Sequence, residues 1–287
     1  MESTRGILRP GEGLTHFALD RAAPPPDLAP FVDRLWTVRW DLPAGVRFPQ
    51  EILPFPCVNV ACEDRRVARG PVDEVGRAPP PAPPGRRFFV HGPGTRRFVA
   101  LLEGRGWVAG ARFRPASFSL FTAAPMRTLL DRILPAEEVM RVPPPAVPAD
   151  PVAAREALIA WLRAHLPIPH SEEVERANRL VERAQADRAL STAEALARAA
   201  GISVRSLHRL LERRLGVSSK WIVRRARVQD AADRVARGEV VDWAAVAAEL
   251  GYHDQAHLIR DFKAQIGFTP AAYARRCAAA RADPSPK

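Results

Sequence analysis

The chain has 287 residues, 47% of them hydrophobic, enough for a sizeable core and, at roughly 100–200 residues per domain, for two domains. Lys plus Arg number 43 against 32 Asp plus Glu, and the resulting net charge of +11 points to a polyanionic partner, nucleic acid before a membrane surface. With 26% charged residues, 17 glycines, three cysteines and no long uncharged apolar run, the composition excludes a disordered or collagenous chain, a disulfide scaffold and a membrane span. Met1 to Asp20 lacks the apolar segment of a secretory signal, so the expectation is a reduced, cytoplasmic protein.

In chain order, Arg34 to Trp40 alternates polar and apolar residues and reads as a strand with Trp36, Val38 and Trp40 on one face. Cys57 to Cys62 is short, apolar and β-branched, a second strand. Its two cysteines are an odd number of positions apart and so face opposite ways, against both a disulfide and shared metal ligation. Pro79 to Gly85 reads as an exposed proline-rich loop, and His91-Gly92-Pro93-Gly94 as a turn. Arg97 to Glu103 and Gly106 to Phe113 flank Gly104-Arg105 and are expected to form a tight hairpin. Many short strands broken by proline and glycine suggest a barrel or sandwich. Trp36, Val38, Trp40, Val58, Val60, Trp107 and Phe113 would fill one apolar interior rather than line a ligand pocket. His16 and His91 lack the clustered spacing of a metal-bearing barrel, and no nucleophile elbow, P-loop or dinucleotide fingerprint is present; no metal, cofactor or catalytic residue is therefore assigned.

Proline then divides the chain. Of 29 prolines, 26 lie before residue 171, a density that long helices do not tolerate. The expected class is α+β in two domains. A β-rich regulatory domain spans 1–141 and a Pro-rich linker 142–151. Connecting helices follow over 152–186, from Val152 to His165 and from Ser171 to about Ala186. An all-α DNA-binding domain spans 187–278, with a tail at 279–287.

The helical part carries an internal repeat. Leu196-Ala197, Gly201, Leu207, Arg209, Leu215 and Gly216 recur as Val246-Ala247, Gly251, Leu258, Arg260, Ile266 and Gly267. The first glycines are 50 residues apart and the second glycines 51. Each unit reads as helix, glycine turn, second helix and terminating glycine. Ser191 with Glu194 has capping-box spacing, Ser203 suits an N-cap, Asp242 can cap the second unit's first helix, and Asp254 or His253 can start its second. Val204, Leu207, Leu211 and Leu215 should face a core, as should Leu258, Phe262 and Ile266. Arg205, His208, Arg209 and Arg213 fall off the first stripe, and Gln255, Ala256, His257 and Arg260 off the second. Ser218 to Arg237 reads as one helix about 30 Å long, close to the ~34 Å between successive major grooves. Between Ser203 and Asp230 eight basic residues face two acids, and Arg224 and Arg225 on the linking helix suit phosphate contact or plain solvation.

These residues resemble the AraC/XylS family of transcription regulators from about Ala189 to Arg276. The second unit carries the pattern most fully, in Gly251-Tyr252, Leu258-x-Arg260-x-Phe262-Lys263, Gly267-Phe268-Thr269-Pro270 and Tyr273. The first departs from it at Ser219, Trp221 and Leu211-Glu212. The resemblance implies a double helix-turn-helix module whose base-reading positions fall on Arg205, His208, Arg209, Gln255, Ala256, His257 and Arg260, with Ser203 and Arg213 beside them at the DNA. More weakly, Leu53 to Asn59, Val90-His91-Gly92 and Gly110 to Pro115 look like the cupin-like sensing domain that often precedes this module. The implied function is sequence-specific regulation of transcription, with two recognition helices in adjacent major grooves of double-stranded DNA, in the cytoplasm at the nucleoid. RNA polymerase, a second copy paired through the N-terminal domain and an unidentified small-molecule effector are the further candidate partners. The rival classes are a DNA-targeted enzyme with a catalytic barrel and a nonspecific nucleoid-type binder.

Overall fold

Six antiparallel strands form the larger sheet, in the order β1 (Phe17–Ala22), β2 (Val32–Asp41), β8 (Arg105–Phe113), β4 (Asn59–Glu63), β6 (Arg87–His91) and β9 (Ile133–Pro135). A second sheet is ordered β3 (Arg47–Ile52), β7 (Phe98–Glu103) and β5 (Ala68–Pro71). The computed structural model describes residues 15–52, 55–64, 68–71, 87–166, 171–187, 189–239 and 242–282. The loop expected over Pro79 to Gly85 and the end of the expected tail lie outside the described residues.

Register explains how the aromatic residues are shared out. Trp36 pairs with Gly110 and Trp40 with Gly106, and each indole lies over its partner glycine. A Cβ at those glycines would stand 2.5 and 2.4 Å from the ring atoms, so no side chain fits there. The same period of two sends Trp36, Val38 and Trp40 to one face of the sheet and Leu35, Trp107 and Phe113 to the other. The single interior expected from sequence is therefore two layers. On one face Trp40, Ala61 and Val108 pack against Phe48 and Leu102 of the second sheet. On the other, Phe88, Phe113, Phe118 and Phe121 fill the space beneath two short 3₁₀ turns, Ser117–Leu120 and Met126–Leu129, and the helices α1 (Ala136–Val139) and α2 (Pro151–Arg163). The expected hairpin at Gly104-Arg105 is also corrected. β7 pairs with β3 and β5, β8 with β2 and β4, and Gly104, at φ +56°, is a corner between sheets. A single residue separates the two strands, too few for a two-residue hairpin turn.

The stretch read as linker is mostly exposed, with Val147 resting against the first core, whereas the connecting helices are parts of the cores. Asp150 caps α2, accepting from the Val152 and Ala153 amides, with Pro151 at the first helical position, where a missing N–H costs nothing. Ala154, Leu158, Trp161 and Leu162 of α2 enter the first core, and Ala149 accepts a hydrogen bond from the Trp107 indole. The helix α3 (Glu172–Ala186), capped by Ser171, gives Val174, Ala177, Leu180 and Val181 to a second core.

The remaining helices are α4 (Ala193–Ala199), α5 (Val204–Leu215), α6 (Ser219–Ala236), α7 (Trp243–Glu249), α8 (Gln255–Ile266) and α9 (Pro270–Ala282). The second core joins α3, α4, α5 and the first half of α6 to Ala116, Leu120 and Leu130 of the strand domain. The third core joins the second half of α6 to α7, α8 and α9. Among the described residues no helix is long and apolar enough to cross a membrane, and no group of three or more His, Cys, Asp or Glu is placed to hold a metal ion. Cys57, Cys62 and Cys277 are buried and form no disulfide.

Candidate nucleic-acid interface

In the first unit α4 starts at Thr192, whose hydroxyl accepts from the Ala195 amide, one residue later than the cap expected at Ser191. Gly201 turns the chain at φ +64°, a conformation open to glycine at little cost. Ser203 caps α5 by accepting from the Ser206 amide, and Gly216 ends it in the left-handed region. Leu207, Leu210, Leu211 and Leu215 are buried. Val204 lies on the expected stripe by angle but in the first turn, and is 39% exposed; Leu210 takes its place in the core. Arg205, His208, Arg209 and Arg213 are all exposed on the opposite face, with His208 and Arg209 three and four residues after Arg205 and Arg213 four after Arg209. His208 stands 3.3 Å from Glu212, one turn on, and Arg213 pairs with Glu173 of α3. Arg205 and Arg209 thus lie together on one open helical surface.

The second unit repeats the construction. Asp242 caps α7 through the Ala244 and Ala245 amides, and Asp254 caps α8 through the His257 amide at 2.6 Å. That hydrogen bond, with His253 beside it, holds the Asp254 carboxyl below its ordinary range. Leu258, Phe262 and Ile266 are buried, while Gln255, Ala256 and Arg260 are exposed. His257 is placed differently. It is half-buried, edge-on to Tyr252, with Nε2 3.3 Å from Arg224 of α6 and 3.9 Å from Asp261. The structure therefore brings together an exposed trio in each unit and sets His257 at the edge of the second.

α6 joins the units. Its 18 residues rise about 27 Å. Sequence reasoning left its arginines to solvent or phosphate, and the structure corrects this. Arg225 is 3% exposed, with its guanidinium 4.0 Å from the centre of the Phe55 ring, while Arg112 stands 4.1 Å from the same ring. Arg224 pairs with Asp261 of α8, and Arg227 donates to the Gly251 carbonyl at the turn of the second unit. Burial lowers the pKa of Arg227 and raises that of the Tyr252 hydroxyl beside it. Arg234 bonds both oxygens of Glu249 and also Asp230, fastening α7 to the linking helix. Only the four-residue spacing of Asp230 and Arg234 was a signal for any of this.

A loop cluster at one end of the strand domain reaches the helical units, and it too had no sequence signal beyond a turn. Gly92 abuts the backbone of Leu129 so closely that a Cβ would stand 1.7 Å from its carbonyl oxygen. Asp131 is the one non-glycine residue with positive φ among the described residues. Its amide donates to Pro93, and its carboxylate takes hydrogen bonds from the amide and hydroxyl of Thr95. Gly94 donates to the Phe55 carbonyl, so 55–57, 92–97 and 126–132 form one assembly. Gly216 lies against its Met126-Arg127 backbone, and Gly267 against Arg97.

Residues 196–276 match a family described as a helix-turn-helix domain, and residues 20–135 match a domain of unknown function, DUF6597. No curated protein matches the chain. Among solved structures, the chain is similar to the C-terminal domain of AraT, a response regulator from Geobacillus stearothermophilus. The identity is 24%, over 37% of this chain and 88% of that one, with a TM-score of 0.33. It is also similar to a DNA-binding transcriptional dual regulator from Escherichia coli K-12, at 24% identity over 36% and 93% of the two chains and a TM-score of 0.32. ToxT from Vibrio cholerae aligns over 91% of this chain and 98% of its own, at 10% identity and a TM-score of 0.41. The tandem units built as described coincide with the span matched to the helix-turn-helix domain family, residues 196–276.

Proposed function

We propose that one copy of the chain reads a two-part operator, with α5 in one major groove and α8 in the next. The observation that carries this reading is the pair of exposed faces, Arg205-His208-Arg209 and Gln255-Ala256-Arg260, on equivalent helices at either end of a single linking helix. The chemistry differs between the two. Arg205 and Arg209 offer paired donors to guanine O6 and N7. At the equivalent places in the second unit stand Ala256 and Arg260, with Gln255 before them, a set suited to a thymine methyl, one guanine and an adenine edge. Ser203 and Arg213 flank the first face and fit phosphate contacts. His257, turned toward Arg224 and Asp261, contributes by holding the first turn of α8 as much as by touching a base.

In this reading the protein works without a catalytic residue, in the cytoplasm at the nucleoid. The strand domain supplies regulatory input, through a small-molecule effector or a second copy, and RNA polymerase is the onward partner. Selection of bound sequences from a random DNA pool tests the core of it. The native chain should yield a bipartite motif. Arg209→Ala and Arg260→Ala should each lose about 1–3 kcal/mol and relax one position, in opposite halves of the motif. An unchanged motif at unchanged affinity for both variants refutes the assignment.

A further inference from the structure

The two units repeat in sequence but are attached to the rest of the molecule in different ways. Unit one shares its hydrophobic core with the strand domain: Ala116, Leu120 and Leu130 pack among the side chains of α3, α4 and α5. Buried Asn178 of α3 adds two hydrogen bonds across the same boundary, accepting from the Ala116 amide and donating to Ser117. Arg114 pairs there with Glu175 and Glu182. Unit two has no such share. Among the described residues its core draws on nothing before Val228 of α6.

From the strand domain Arg97, which follows the Gly92-to-Thr95 loop, reaches unit two. Its guanidinium is 2.5 Å from Glu51 on β3 and stands 4.9 Å from the centre of the Phe268 ring, just beyond the end of α8. Gly267 meets the same side chain so closely that a Cβ would lie 2.6 Å from Nε. Arg276 of α9 stacks on Phe268 at 4.2 Å. The position of this contact is informative. Gly216 of unit one, which touches Met126-Arg127, and Gly267 of unit two, which touches Arg97, are equivalent residues of the repeat. One loop cluster therefore touches the same corner of both units, and Asp131 ties its two halves together.

We infer that Arg97 is a positioning residue for operator spacing: it braces unit two against a strand domain already fused to unit one, and so fixes the angle between the two recognition helices. This rests on the two-groove reading proposed above. α6 alone is a weaker constraint. Its first half belongs to one core and its second half to another, and long helices bend gently along their length. Each base pair added between half-sites turns the second groove by about 35° and moves it about 3.4 Å. A braced pair of helices cannot follow that movement, and an unbraced pair follows part of it.

The test uses the full chain and its selected bipartite motif, with the gap between halves unchanged, lengthened or shortened by one base pair. The native chain should lose roughly tenfold or more in affinity for either altered gap. Arg97→Gln with Glu51→Gln, which removes the charge pair without stranding a buried carboxylate, should keep native-gap affinity within about threefold. It should lose only about threefold on the altered gaps. Phe268→Ala removes the contact from the other side and should behave alike, with melting curves confirming that each variant is folded. An undiminished spacing penalty in both folded variants overturns the brace and leaves the two-groove reading standing. A native chain that yields only a single half-site overturns both.

Discussion

Phe262→Ala probes whether the two helix-turn-helix units are separate cooperative bodies. Phe262 is completely buried in the third core, edge-on to Trp243 and tilted against Tyr273. Truncating such a side chain costs about 3–5 kcal/mol, through lost transfer free energy and the cavity left behind. A small domain has about 5 kcal/mol to lose, and the third core takes no hydrophobic side chain from the strand domain among the described residues. The expected result is local. Hydrogen exchange should accelerate over 243–282 while the amides of β2, β8 and α2 keep their protection. Thermal unfolding should split, with a new low-temperature transition, and the DNA footprint should shrink toward the half contacted by unit one. Leu211→Ala, equally buried but in the core shared with the strand domain, should instead weaken that whole body by about 2–5 kcal/mol. A single cooperative transition lowered for the entire chain by Phe262→Ala, with exchange raised everywhere, would refute the separation.

Gly92→Ala should loosen the loop cluster, because its Cβ meets the Leu129 carbonyl oxygen at 1.7 Å; limited proteolysis should cut first within 92–97 or 126–132. The buried thiols give a pH test. Burial, aided by the Glu63 carboxylate, pushes the Cys62 thiol from its ordinary 9.0 up to about 12, and burial also raises Cys57. The unfolded chain ionises these thiols near pH 9 and the native chain does not. Stability is therefore full below that pH and falls as pH rises toward 12, and iodoacetamide at pH 8 should alkylate both thiols only after denaturant is added. A fragment spanning 171–287, which the repeat alone would suggest is independent, should keep unit two folded. Unit one should be destabilised in it, because Asn178 loses both buried partners and the contacts of Ala116, Leu120 and Leu130 are removed; equal melting of unit one in fragment and full chain would contradict this.

What could be read from the sequence follows from the range of the forces involved. Caps, turns and stripes are local, so Ser203, Asp242, Gly216 and Gly267 are legible, the cap of α8 is narrowed to Asp254 or His253, and the exposed faces of α5 and α8, His257 apart, follow from the same periodicity. Where a neighbour in space decides, the local reading failed. Size and apolarity alone assign Trp36 and Trp107 to one interior. Only the register, which seats Trp36 on Gly110, reveals that they face opposite ways. The corner at Gly104 has the composition of a hairpin and lacks the two turn residues one needs. Arg225 looked like a surface cation because nothing beside it in the chain announces Phe55, 170 residues earlier.

The same distinction bears on how a repeat becomes a regulator. Two copies of one supersecondary unit, each capped and terminated alike, would by themselves give two equivalent readers on a helix. The difference between them is imposed from outside the repeat. Unit one adds its leucines to a core that already contains Ala116 and Leu120, and in doing so becomes part of the strand domain. Unit two keeps its own core, joined to the rest by α6, by Arg97 on Phe268 and by Arg224 on Asp261. A change within the strand domain moves unit one with it as one body and reaches unit two through polar and stacking contacts worth about a kilocalorie per mole each. Those contacts are weak enough to be redistributed by the free energy of binding one small molecule or one partner, whereas the shared core is not. On the two-groove reading proposed above, the quantity open to regulation is the angle of α8 relative to α5, and the variants that alter regulation while sparing base contacts should cluster at Arg97, Phe268, Arg224 and Asp261 rather than on the exposed faces of α5 and α8.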